Sequence, residues 1–350
     1  MPALFSNWFP LYSFHMPLFV FAAGYFYNEI LSAFKYIRKR FLRLIIPFYG
    51  WNLFYGILVT ILVILGVSNI GNTITFENFF INPWTTGDSY YQLNFASWFL
   101  IWLFTVQVAY VLIRKILLRA FKNEYFLFVI CLIAGLIGTY LSTIGFTSEF
   151  LGATLIKLLF GLPFIQLGYL YRVKLEKHDK PTIKSFAIVC LIQFFLISFM
   201  LSSFPFDFVV AGGQFKNVVL PFITSLTGIW FCLQISSFLS QKIGPNRIIS
   251  FFGNHTSDIM IHHSFGFWVL NSLFFLFAVP NFSVTDYRTN IFYEYYLLGD
   301  GHFLILYVFA AILVPLGMVA FQSLIKKKLG SLFLRFKRLI MKMRTATDKS

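Results

Sequence analysis

Long apolar runs recur along this chain, and they constrain its fold more than any other feature. A bilayer core about 30 Å thick is crossed by a helix of roughly 20 apolar residues. Only 12% of the residues are charged and 58% are hydrophobic, which leaves too little polar surface to coat soluble domains. The sequence therefore predicts an all-α fold, a polytopic transmembrane helix bundle. About nine spans are expected, at 5–27, 44–67, 96–113, 124–144, 152–171, 185–204, 217–238, 257–279 and 303–325.

The distribution of Lys and Arg predicts the orientation of these spans. Basic residues of short loops stay on the cytoplasmic side of a membrane. When alternate loops are taken as cytoplasmic, those loops and the tail contain 25 of the 28 Lys and Arg residues. The N-terminus is then outside and the C-terminus inside. The net charge of +15 is explained by an inner face that meets anionic lipid, so no nucleic acid partner is expected.

Two regions follow from this pattern. Residues 1–325 form one transmembrane domain of a multi-pass protein of the cell membrane. Residues 326–350 form a basic cytoplasmic tail, in which apolar and basic side chains fall on different helical faces. Such a segment lies on the inner leaflet as an amphipathic helix, and the alternative is a disordered basic tail.

Ionisable side chains inside spans are costly, which makes each one a candidate site residue. His15 lies within the first span, and Pro17 follows it, where a missing N–H weakens a helix. The alternative for His15 is a core histidine bonded to a neighbouring helix. Glu149 and Lys157 lie near the outer end of the fifth span.

The eighth span opens with a second polar cluster. Asp258 and His262 are four residues apart and share a helical face, so the carboxylate is expected to orient the imidazole. His263 points elsewhere. Asp258 also has a simpler interpretation, because acidic residues in a first turn stabilise the helix dipole.

A basic segment precedes the second span. Arg40 and Arg43, with Arg38 nearby, are three residues apart and are expected on one face, suited to bidentate contacts with phosphates. The positive-inside rule explains them equally well. No spacing of His, Cys and carboxylates fits a metal site, and no phosphate-binding glycine loop is present.

Several stretches resemble integral-membrane acyltransferase family 3, in the subgroup of fucose O-acetylases and polysaccharide O-acetyltransferases. FHMPLFVFAAGYFYN, from Phe14, resembles its Phe-His-Met-Pro-Leu-Phe-Phe-Phe-x-Ser-Gly-Tyr signature, and YIRKRFLRLIIPFY, from Tyr36, resembles its Arg-x-x-Arg-Leu-x-x-Pro segment. SWFLIWLF, GLPFIQLGYLYR and FFGNHTSDIMIHH resemble later blocks, in the family's order. The resemblance spans residues 12 to about 320.

The resemblance implies transfer of an acyl group, most often acetyl, from acetyl-CoA to a hydroxyl of a cell-surface polysaccharide or its lipid-linked precursor. Under this interpretation His15 is the general base, and Arg40, Arg43 and Arg38 hold the phosphates of CoA. His263 and Asp258 orient groups or bind the acceptor. Membrane lipid, the glycan acceptor and acyl-CoA are the expected partners.

The chain departs from the family pattern in three places. Members usually have ten spans, and the helix before the signature ends in a histidine, so we expect this chain to lack that first helix. Ala22 and Ala23 replace a pair that usually contains serine, and the late block reads His255-Thr256 with Asp258 at a position that is usually apolar. A transporter or flippase, or an inactive truncated acyltransferase, stays as an alternative function.

Overall fold

A computed structural model confirms the all-α membrane bundle. It describes residues 14–29, 31–67, 73–85, 92–179, 182–203, 208–277 and 305–324, without the side chains of residues 92, 120, 197–203 and 208–209. Within these residues the strands are limited to one two-stranded hairpin. The predicted amphipathic tail, 326–350, lies outside the described residues.

The helices follow the apolar runs of the sequence. Within the described residues the main helices are α1 (His15–Tyr25), α2 (Ala33–Ile64), α3 (Trp98–Ala120), α4 (Glu124–Thr143), α5 (Gly152–Leu170), α6 (Ile183–Ser203), α7 (Leu220–Ile243), α8 (Arg247–Asn254), α9 (Thr256–Leu276) and α10 (Ile305–Leu324). Strands β1 (Phe208–Val209) and β2 (Gln214–Phe215) pair antiparallel between α6 and α7. Shorter helical turns are Glu77–Ile81, Asn82–Thr85, Gln92–Ser97 and Phe146–Ser148, and a π-helical turn, Tyr171–Leu175, extends α5.

Seven described helical segments are long and apolar enough to cross a membrane. They coincide with seven of the predicted spans. The predicted span 5–27 overlaps α1 from His15 onward, and its earlier part lies outside the described residues. The predicted span 185–204 overlaps α6.

Helix α2 begins earlier than predicted. The segment 28–43 was expected as a cytoplasmic loop, but one helix runs from Ala33 to Ile64. Ser32 caps its start by accepting a hydrogen bond from the backbone N–H of Lys35. Neither Gly nor Pro interrupts residues 33–46, so nothing stops the helix before the span.

Two hydrophobic clusters occupy different faces of α3. The first contains Trp98, Phe99 and Trp102 and joins α3 to α1, α4 and α5. The second contains Leu100 and Ile101 and joins α3 to α2 and α9. Helix α5 is the most buried of the seven membrane-length helices, so the first cluster forms the centre of the bundle.

Lys157 is held inside the bundle by the hairpin. Its side chain is 3% exposed, and its Nζ donates a hydrogen bond of 2.9 Å to the carbonyl of Ala211, between β1 and β2. The same Nζ lies 5.7 Å from the ring centroid of Trp98. A backbone carbonyl and an aromatic face thus offset the cost of burying this ammonium, while Glu149, before α5, is exposed.

Candidate functional site

His15 is the first residue of α1 and is half-buried. Because the helix begins there, Pro17 lies in its first turn, where backbone N–H groups have no acceptor within the helix. The expectation that Pro17 weakens the helix beside His15 is therefore wrong: the proline removes no hydrogen bond from the ladder. It lies where proline favours the start of a helix.

Glycines fix the position of α1 against α5. A Cβ atom at Gly24 would collide with the carbonyl oxygen of Ile165, and one at Gly168 would collide with that of Phe21. The two backbones therefore touch through reciprocal glycine contacts, as small residues allow in membrane helices. Gly228 of α7 meets the ring of Phe14 in the same way, so α1 is held on two sides next to His15.

The turn between α1 and α2 brings His15 and the basic segment to similar heights. The rings of Tyr27 and Tyr36 meet with their centroids 5.1 Å apart. Ring contacts of Phe19 with Phe99 and of Tyr27 with Tyr110 align α1 with α3 in the same direction. The contacts Tyr36–Gln107 and Phe41–Phe104 align α2 with α3 in the opposite direction, so α1 and α2 are antiparallel. His15 is separated from Tyr27 by the same number of residues as residue 48 is from Tyr36, so His15 and residue 48 are at the same height. Arg43 precedes residue 48 by five residues. At about 1.5 Å per residue, His15 therefore lies about 7 Å beyond Arg43 along α2.

The three arginines of the basic segment have different environments. Arg40 lies over the ring of Tyr36, 4.9 Å from its centroid, and its buried Nε has no hydrogen-bond partner. Arg38 and Arg43 are exposed. A π-helical turn, Phe41–Ile45, follows Arg40, so the spacing of Arg40 and Arg43 is not that of a regular α-helix.

The late polar cluster is also paired differently from the prediction. Asp258 does lie in the first turn of α9, but its Oδ2 is 3.1 Å from Nδ1 of His255, so the expected Asp258–His262 pair is wrong. The hydroxyl oxygen of Tyr55 lies 2.7 Å from Nδ1 of His262 instead. His263 lies with its Nδ1 2.7 Å from the carbonyl oxygen of Met260. Packing of α9 against α2 decides these partners, and spacing within one helix does not contain that information.

A buried cation, Arg114, was missed by sequence reasoning. Its side chain is 3% exposed and forms ion pairs with Glu29 and Glu124. Its guanidinium lies 3.9 Å from the ring centroid of Tyr169, and Gln166 lies within hydrogen-bonding distance. Two carboxylates and an aromatic face satisfy the charge, which makes this network a clamp between the turn after α1 and helices α3, α4 and α5.

The pKa of the Glu29 carboxyl group reflects its interaction with Arg114. Burial of the group disfavours its charged form, but hydrogen bonds from Arg114 and Tyr169, together with the charge of Arg114, outweigh that cost. They hold the pKa of Glu29 below its ordinary value. Glu29 is therefore ionised, and the turn that follows α1 is anchored to Arg114.

Metal binding finds no support in the described part of the chain, where no three His, Cys, Asp or Glu side chains are grouped closely enough to hold an ion.

Comparison with known families identifies the chain. A family model described as an acyltransferase domain, that of acyltransferase family 3, matches residues 2–320. The chain belongs to this family. Neither the curated proteins nor the solved structures contain a match.

As a member of acyltransferase family 3, the protein is a membrane acyltransferase. The residues that the resemblance singled out lie on three helices of this acyltransferase: His15 on α1, the arginines on α2, and Asp258 and His263 on α9. The contacts reported above unite the first two groups through the α1–α2 turn. For the third group, the described contacts reach α2 through His262 rather than through His263 or Asp258.

Proposed function

We propose that this acyltransferase moves an acetyl group from acetyl-CoA to a hydroxyl of a cell-surface polysaccharide or its lipid-linked precursor, at the plasma membrane. The observation that carries the proposal is that α1 and α2 run antiparallel along α3, from which a height difference of about 7 Å between His15 and Arg43 is expected. The proposed base and the proposed phosphate-binding segment therefore belong to one helical hairpin.

The proposed chemistry assigns each part a task. A sugar hydroxyl is a weak nucleophile near neutral pH, so His15 removes its proton as the hydroxyl oxygen attacks the thioester carbon. Arg43 and Arg38 are exposed and Arg40 has an unpartnered Nε, so all three have donors to offer the phosphates of CoA. Burial of α1 against α5 and α7 keeps the base fixed, as efficient transfer requires.

The proposal is tested with membranes that contain the protein, supplied with radiolabelled acetyl-CoA and a polysaccharide acceptor. We expect transfer to the glycan by the unchanged protein and its loss in His15→Ala, because removal of a general base costs about 10²- to 10⁴-fold in rate. His178→Ala is the matched control, since His178 is exposed in the segment after α5.

Two results would contradict the proposal. Undiminished transfer by His15→Ala would remove His15 from the mechanism. Glycolipid movement in liposomes without any acetyl transfer would favour a transporter or flippase.

A further inference from the structure

His262 stands out among the polar side chains of the second hydrophobic cluster. It is 0% exposed, and its Nε2 is a buried atom without a hydrogen-bond partner. A buried polar group that makes no hydrogen bond carries an uncompensated desolvation cost. Leucine at this position would avoid that cost, so the unpaired nitrogen calls for a ligand atom.

Tyr55 determines which nitrogen of His262 carries the proton. The Tyr55 hydroxyl lies 2.7 Å from Nδ1 of His262 and 3.5 Å from the thioether sulfur of Met318, and it has one proton to donate. Imidazole nitrogen is a good acceptor and thioether sulfur a weak one. We assign the hydroxyl proton to the shorter contact, with Nδ1 as its acceptor, so that the neutral ring carries its proton on Nε2.

Neighbouring rings hold this imidazole in one orientation. The ring of Trp51 meets it edge to face with centroids 4.2 Å apart. The ring of Tyr55, which is also 0% exposed, contacts the imidazole with centroids 5.8 Å apart. The unpaired Nε2–H is thus a fixed hydrogen-bond donor at a buried position. Donors of this kind stabilise negative charge on an oxygen far better than donors in water.

The height of His262 relates it to the proposed phosphate site. Trp51 and Tyr55 contact His262. They lie about 12 and 18 Å beyond Arg43 along the axis of α2. The pantetheine arm that joins the diphosphate of CoA to its thioester has a comparable length. His262 also lies only about 5–10 Å in height beyond His15.

We propose that His262 is a second functional histidine, whose Nε2–H donates a hydrogen bond to the carbonyl oxygen of the acyl-CoA thioester. The assignment rests on the proposed function, because it takes acyl-CoA as the donor. Tyr55 is a positioning residue that acts through His262. The family resemblance pointed to His263, whereas the geometry assigns the role to its neighbour.

The transfer step forms one carbon–oxygen bond and breaks one carbon–sulfur bond. The sugar oxygen forms a bond to the thioester carbon while its proton passes to His15, and the carbonyl oxygen becomes an oxyanion that His262 stabilises. Collapse of this intermediate breaks the carbon–sulfur bond, and His15 returns the proton to the sulfur. The products are the acetylated sugar and free CoA.

The experiment compares His262→Leu, His262→Gln and Tyr55→Phe in the full-length protein, with kcat and KM for acetyl-CoA as readouts. Loss of one oxyanion donor lowers kcat by about 10²- to 10³-fold, which we expect for leucine with little change in KM. Glutamine keeps an N–H near the position of Nε2 and should restore part of the rate. Tyr55→Phe removes the hydroxyl that donates to Nδ1, so the ring proton is no longer confined to Nε2 and kcat should fall by an intermediate factor. Met318→Leu, which removes only the weak acceptor, is the matched control and should resemble the unchanged protein.

A packing role predicts a different order, because leucine is the better residue in an apolar site. Wild-type kcat in His262→Leu, or equal losses in the leucine and glutamine variants, would overturn the donor assignment while leaving acetyl transfer by the unchanged protein intact. A second readout needs no turnover: the infrared band of a carbon-13-labelled thioester carbonyl should shift on binding to the unchanged protein and not on binding to His262→Leu. An unshifted band in the unchanged protein would also overturn the proposal, whether or not transfer occurs.

Discussion

Arg114 decides at the scale of single residues whether the turn after α1 stays in place. Both of its Nη atoms bind the carboxylate of Glu124, at 2.6 and 2.7 Å, and its Nε donates to Glu29. Replacing Arg114 with Met leaves the partly buried carboxylate of Glu124 without its cation. Removal of one partner of a buried pair costs about 3–5 kcal/mol, so we expect a loss of that size in the free energy of unfolding, measured by denaturing-detergent titration in mixed micelles.

The control for this prediction lies on the same helix. Arg119 is exposed, and Arg119→Met should change the unfolding free energy by less than about 0.5 kcal/mol. Equal losses in the two variants would show that Arg114 acts only as one of many inner-face charges.

Sequence reasoning found Arg114 as a charge but not as a clamp. Arg114 falls between the predicted spans 96–113 and 124–144 and so counted only as one charge of a cytoplasmic loop, and hydropathy gives no sign that Glu29, 85 residues away, would reach it. His15, in contrast, was predictable as a candidate because a histidine within an apolar run has a local cost. The pairing of His262 with Tyr55 spans 207 residues, so it depends on tertiary packing.

At the scale of elements, the apolar runs predicted the helices well, because a chain in lipid has to satisfy its backbone hydrogen bonds internally and a helix does so within its own segment. The start of α2 and its π-helical turn at Phe41–Ile45 were not predictable in the same way. A π turn leaves no mark on composition, and helix boundaries are set by caps such as Ser32.

The packing of α1 on α5 gives a prediction at this scale. In Gly168→Ala the new methyl group would meet the backbone of Phe21, so α1 has to move and carries His15 with it. We expect acetyl transfer to fall by about 10²-fold, since small displacements of a reacting group have effects of that order, together with a lower melting temperature in detergent.

Gly50→Ala on α2 serves as the comparison. Nothing lies within 4 Å of a Cβ atom at Gly50, and alanine is favoured over glycine in a helix by about 1 kcal/mol, so this variant should keep activity and stability. Full activity in Gly168→Ala would mean that the glycine contacts do not position His15.

The whole molecule carries one prediction that follows from its charge distribution. The concentration of 25 of the 28 Lys and Arg residues in alternate loops and the tail predicts that the segment after α5 faces the cytoplasm and the loop before α5 faces outward. In a background with Cys131, Cys190 and Cys232 changed to alanine, Lys177→Cys should react with an impermeant maleimide only in permeabilised cells. Ser148→Cys should react in intact cells, because both positions are exposed on opposite ends of the α4–α5 pair.

The opposite labelling pattern would place α2 with its arginines toward the outside. Acetyl-CoA is a cytoplasmic metabolite, so that orientation would separate Arg40 and Arg43 from the proposed donor. The phosphate-binding role of the basic segment would then fail together with the inner-face explanation of the charge. The expected pattern instead puts Arg43, His15 and His262 in that order from the cytoplasm outward, which lets the thioester reach both histidines from the side where acetyl-CoA is supplied.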